Sequence, residues 1–202
     1  MTLGLPKERE APRLVSAGLR FVFLAGSALA TILGPGSVLA QEVHPSEYQV
    51  KAAFLYHFIR FVEWPAGAFP SAGASLTLCI LGPDPFGSIL EQTIQGKAFN
   101  GSPLAIRRAK DAGELGTCHV LFISSSGLRK LGEFLGSHRN AAALTVGETE
   151  RFAQQGGMIS LLKEENRVGL AINPDAAEHA GLKISSKLLA LARIVRDSDK
   201  RK

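Results

Sequence analysis

Two cysteines, one tryptophan and two tyrosines are all that a chain of 202 residues contains of those types. No two of its five histidines stand three or four positions apart, and neither H-E-x-x-H nor C-x-x-C occurs. Those are the spacings that hold a zinc ion on one helix or in one loop, so no metal site is expected. No G-x-S-x-G elbow surrounds a serine, which leaves a triad hydrolase without its strained nucleophile turn. The sequence also lacks a concentrated charge of one sign. Its net charge of +5 comes from scattered residues, apart from a terminal Lys200-Arg201-Lys202. That is a solvated surface rather than a nucleic-acid footprint.

Long apolar runs are missing too, with one exception at the N-terminus. Arg9, Arg13 and Arg20 precede an apolar stretch from Phe21 to Leu33, and Gly34-Pro35-Gly36 then breaks any helix. A helix over that stretch would reach about 20 Å, short of the roughly 30 Å of a bilayer's hydrocarbon. Residues 1–40 therefore read as a signal peptide cut after Val38-Leu39-Ala40. The mature chain would begin at Gln41, hold 162 residues and carry a net +3. That length suits one domain, here 41–196, followed by a polar tail at 197–202. In the oxidising compartment that export implies, an even cysteine count invites a bridge between Cys79 and Cys118. Each also sits in an apolar run where a free, buried thiol is common.

What is present is a regular alternation. Ser46 and Gln49 form a capping box for a helix over 46–63, with Phe54, Phe58 and Phe61 at i, i+4 and i+7. Pro65 stops it, because Trp64 is pushed out of the α region. LTLCIL at 76–81 and CHVLFIS from Cys118 read as strands buried on both faces. Further strands are expected at 103–107 and 142–146, with helices at 87–95, 127–136 and 148–154. The runs 157–162 and 167–172 flank a polar turn and predict an antiparallel hairpin. Asn173-Pro174 opens a helix that Gly181 closes, and Ser185 caps a last helix reaching Arg196 with Leu188, Leu191, Ala192 and Val195 inward. The fold class expected is α/β: a single-domain, mostly parallel mixed sheet of five to six strands, flanked by helices.

Candidate sites are few. Gly82 to Gly87 has the spacing of a phosphate loop, but Ser88 stands where its lysine belongs, and Pro83 and Pro85 remove two N–H donors. Asp84 reads as an Asx-turn residue. Ser124, Ser125 and Ser126 follow a buried strand and read first as a helix cap. With Asp84 and Phe86 they could also border a small-ligand crevice, since α/β sheets bind ligands beyond their strand ends. Glu164 and Glu165 sit in the hairpin turn, the usual place for solvated charge. No cofactor signature and no catalytic constellation is read.

The run from Tyr48 to Pro65, YQVKAAFLYHFIRFVEWP, resembles the opening of the YfiR-like family. The resemblance continues through Cys79-Ile80-Leu81-Gly82, Pro85-Phe86-Gly87, Cys118 to Ile123, Leu144-Thr145-Val146, Gly156 to Ile159, Ala171-Ile172-Asn173 and Leu182 to Leu189. It implies an exported regulator that binds the periplasmic region of an inner-membrane diguanylate cyclase and holds it inactive. It also implies an outer-membrane-associated partner that sequesters the repressor, frequent dimerisation, and redox-sensitive cysteine pairs, one of which Cys79 and Cys118 match in position. His57 replaces the family's usual Asn, and no second cysteine pair is present. A binding regulator needs a surface and no nucleophile, and Tyr48, Tyr56, Arg60 and Trp64 on the aromatic helix are the residues expected to face a partner. The rival expectation is a periplasmic small-ligand sensor or carrier using the Asp84–Ser126 crevice.

Overall fold

The computed structural model describes residues 45–69, 74–137, 142–165 and 167–197. The stretch read as a signal peptide, 1–40, and the residues of the tail beyond Asp197 lie outside them. Helix α1 (Glu47–Phe58) opens with the capping box: Gln49 N donates to Ser46 Oγ, and Ser46 N donates to Gln49 Oε1. The helix is shorter than the expected 46–63. It tightens into a 3-10 turn at Ile59–Phe61 and passes into strand β1 (Val62–Glu63). The reason is tertiary: β1 pairs antiparallel with β9 (Lys183–Ile184), which draws the chain out of the helix before Trp64-Pro65 is reached.

The main sheet is built from β2 (Leu76–Leu81), β4 (Ser102–Ala109), β5 (Val120–Ile123), β6 (Leu144–Gly147), β7 (Ile159–Glu164) and β8 (Arg167–Ile172). Two-residue strands finish its edges, β3 (Ala98–Phe99) and β10 (Arg193–Ile194). The spatial order is β10-β8-β7-β6-β5-β2-β4-β3. Strands β4, β2, β5, β6 and β7 run parallel, and β7–β8 is the antiparallel hairpin. The six longer strands are the ones the sequence announces; two-residue edge strands carry too little pattern to be seen.

Alternation along β2 divides the core. Leu76, Leu78 and Ile80 pack with Leu55, Phe58, Ile59, Val120 and Phe122 beneath α1 and α2 (Ile89–Ile94). Cys79 and Leu81 face the other side, with Leu121, Ile123, Leu131 and Phe134 beneath α3 (Leu128–Ser137). Helix α4 (Glu150–Gln154) adds Phe152 to that second core, where the ring lies so close to Gly157 that any Cβ there would clash. Helix α5 (Pro174–His179) has Asn173 as its cap, with Ala176 N donating to Asn173 Oδ1.

The last expected helix is corrected. Ser185 caps as predicted, but α6 (Ser186–Leu189) is one turn long, and the chain then extends as β10 parallel to β8. Leu191, expected inward, is 75% exposed. The end of β8 offered an open edge, and backbone pairing there outweighs one more turn of helix. Asp197 belongs to the fold, since its N–H donates to Asp175 Oδ2 and its Oδ1 accepts from Asn173 Nδ2.

Candidate functional site

The carboxyl ends of the parallel strands carry the residues expected to border a crevice. Strand β2 ends at Gly82, whose φ of +93° turns the chain into the proline loop. Asp84 makes its Asx turn, Oδ1 accepting from Phe86 N at 2.8 Å. Its Oδ2 accepts from Arg108 Nε at 2.6 Å, and Arg108 also reaches Glu91 and the Gly87 carbonyl. The Arg108 hydrogen bond holds the Glu91 carboxyl below the usual range. Asp84 thus fastens a loop to β4. Phe86 is buried edge-on against Phe122 and Tyr48. Ser124 is buried and shares a 3.4 Å contact with the Ser126 hydroxyl, while Ser125 and Ser126 are exposed.

The serines do not cap the following helix through their hydroxyls. A residue that sequence reading missed does so instead: Glu148, just after β6, accepts from Ser125 N at 2.9 Å. The same carboxylate accepts from Lys51 Nζ at 3.0 Å and from the Tyr48 hydroxyl at 3.3 Å. Lys51 is 2% exposed, and it also pairs with Glu47 at 2.6 Å. Burial alone would lower the Lys51 pKa; hydrogen bonds to Glu47 and Glu148, with their charges, outweigh it and hold the ammonium above an ordinary lysine. Glu47 is pulled down chiefly by its Lys51 hydrogen bond. Burial and the neighbouring Glu148 push the Tyr48 phenol up. This ion pair fills the strand ends with the first turn of α1. A lone lysine on the apolar face of KAAFLYHF was its sequence signal.

The aromatic helix divides its expected contact residues. Tyr48 is turned inward onto Phe86 and Glu148. Trp64 donates Nε1–H to the Ile59 carbonyl at 3.1 Å and packs on Phe69 and His119. Arg60 is exposed and Tyr56 is half-buried, with the Lys97 ammonium 4.4 Å from the centre of the Tyr56 ring. The exposed Phe61 and His57 stand beside them.

Cys79 and Cys118 are joined by a disulfide, with Cα atoms 5.9 Å apart. It ties the middle of β2 to the residues leading into β5. Among the described residues no group of His, Cys, Asp and Glu side chains is placed to hold a metal ion. No helix among them is long and apolar enough to cross a membrane.

The family described as YfiR/HmsC-like matches residues 48–193. The chain resembles the crystal structure of a conserved domain protein from Vibrio cholerae, with a TM-score of 0.48 and 12% identity over 73% of this chain. It spans 59% of that protein's length. No curated protein matches. Members of the matched family are periplasmic regulators that act with a membrane partner. With nearly all of the described body inside the matched region, the chain belongs to the YfiR/HmsC-like family.

Proposed function

We propose that this chain is a periplasmic binding regulator that restrains an inner-membrane signalling enzyme of the diguanylate cyclase type through protein–protein contact. Family membership is the observation that carries the reading. The filled strand ends support it: Asp84, Ser124 and Glu148 spend their polar atoms on the fold itself. A regulator of this kind works by binding one state of its target better than another, and it needs no bond-making chemistry. Its contact face is the outward end of α1, with Tyr56 and Arg60, and an outer-membrane-associated protein or a second copy of the chain competes for access to it.

Export delivers the chain after cleavage behind Ala40. N-terminal sequencing of envelope protein should begin at Gln41. Deleting the gene should raise cellular cyclic di-GMP and surface attachment, and restoring the wild-type gene should reverse both. The Arg60→Glu variant should fold normally yet restore repression only partly. Unchanged cyclic di-GMP in the deletion strain would overturn the reading.

A further inference from the structure

Strand β4 pairs with β2 from Leu104 to Ala109 on its inner side. On its outer side β3 reaches only Ser102 and Pro103. Between Leu104 and Ala109 the outer side has no strand beside it among the described residues. The Ala109 carbonyl accepts from Gly82 N at 2.9 Å, so the backbone groups of Ala109 turn toward β2. Those groups alternate sides along a strand, and Ala105 and Arg107 therefore turn inward as well. Ile106 and Arg108 turn their N–H and C=O outward, where no strand receives them.

Folds commonly blunt such an edge with a proline, a bulge or a covering element. The one proline, Pro103, stands where β3 already covers the strand, and the register with β2 runs unbroken to Ala109. Leu104 and Ile106 are half-buried at the margin of the core beneath α1 and α2. An added strand would cover the rest of them.

Charge along the edge has one sign. Residues 97–110 contain Lys97, Arg107, Arg108 and Lys110 and no Asp or Glu. Arg108 is drawn back and neutralised by Asp84 and Glu91, and Glu114 accepts from the Lys110 N–H. Arg107 spends one N–H on the Leu115 carbonyl, and Lys97 lies over the Tyr56 ring. Neither of these two has a carboxylate partner among the described residues.

We infer that the outer side of β4 is a docking edge for an extended acidic segment of a partner protein. The segment adds a strand by hydrogen-bonding to Ile106 and Arg108, lays apolar side chains beside Leu104 and Ile106, and sets carboxylates near Arg107 and Lys97. A second copy of the chain is the poorer occupant, because pairing β4 with itself brings two cationic strips together. Through Lys97 the edge adjoins Tyr56 of α1, but the inference does not rest on the regulatory reading.

The probe is an acetylated peptide alternating glutamate and valine, Glu-Val-Glu-Val-Glu-Val-Glu, with a lysine-for-glutamate counterpart as its control. Both are titrated into the mature, disulfide-intact protein while backbone amides are followed by NMR and hydrogen exchange. In the free protein the Ile106 and Arg108 amides should exchange roughly tenfold faster than that of Arg107, which lies in the β2 ladder. The acidic peptide should shift those two amides saturably and slow their exchange. The lysine peptide should bind roughly tenfold more weakly, and Lys97→Glu/Arg107→Glu should reverse that preference. Ile106→Pro removes an outward N–H, leaves the β2 ladder intact and should abolish binding; should it fail to fold, the charge-reversal variant carries the test alone. The inference is overturned by the absence of saturable shifts in the millimolar range, by equal binding of the two peptides, or by Ile106 and Arg108 amides already protected in the free monomer. Protection that appears only with dimerisation would overturn it too, since the occupant would then be a second copy.

Discussion

The two ends of the parallel strands divide the work of this domain. At the carboxyl end, where α/β sheets commonly receive ligands, the first turn of α1 is driven into the gap and locked by Lys51 and Glu148. At the amino end a cavity of about 470 Å³ stays open beside Cys118, with the buried His119 in its wall. The lesson is that a topological position is an opportunity and no more. Whether a strand end stays open depends on where the polar atoms are already spent, as Lys51 and Glu148 show here.

The sharpest way to break this contrast is to remove the covalent tie near the open end. Cys79 and Cys118 are 39 residues apart, a loop whose closure is worth about 4 kcal/mol by chain-entropy arguments. The Cys79→Ala/Cys118→Ala variant should lose close to that amount in urea unfolding. A loss below about 1 kcal/mol would mean that β-pairing alone holds the amino end.

The closed end is tested by charge. Lys51→Met leaves Glu148 buried without its cation and should cost about 3 kcal/mol. Adding Glu148→Gln keeps an acceptor for Ser125 N while removing the stranded charge. The double variant should therefore be more stable than Lys51→Met alone, an order that equilibrium unfolding reads directly. Equal stability of the two would show that the pair is a spectator.

Acid titration sharpens the contrast most gently. Burial holds His119 below its ordinary value, so the unfolded chain binds a proton there more readily than the folded one. Its contribution is present above an unfolded pKa of about 6.5 and declines as pH falls below it. Glu47 at the closed end is also depressed, but its contribution is lost only at lower pH, as the carboxylate protonates below its unfolded value near 4.5. Thermal unfolding should therefore weaken in two stages on acidification, and His119→Phe should remove the first stage alone.

Much of the scaffold was legible in the sequence because its signals are local. The Ser46–Gln49 box, the continuous apolar runs of β2 and β5, the Asx turn at Asp84 and the Asn173-Pro174 start are each set by a few neighbouring residues. The failures are long-range. Leu188, Leu191, Ala192 and Val195 keep helical spacing, yet β8 captured the chain as β10. Tyr48 and Tyr56 lie on the same helix, and only distant residues tell them apart: Phe86 and Glu148, the latter a hundred residues on, hold Tyr48 against the sheet. The setting of His119 was equally hidden, because the partner of its Nδ1, Thr77, lies on the neighbouring strand.

The pairing of β1 with β9 joins the opening helix to the closing stretch of the chain. Leu182, Ile184 and Leu188 complete the same core that Leu55 and Phe58 begin. A polypeptide threaded through a membrane from its N-terminus therefore cannot finish this core in transit. On the export proposed above, its aromatic helix waits, exposed, until the final segment has crossed, a stage in which holding proteins of the envelope would have something to grip.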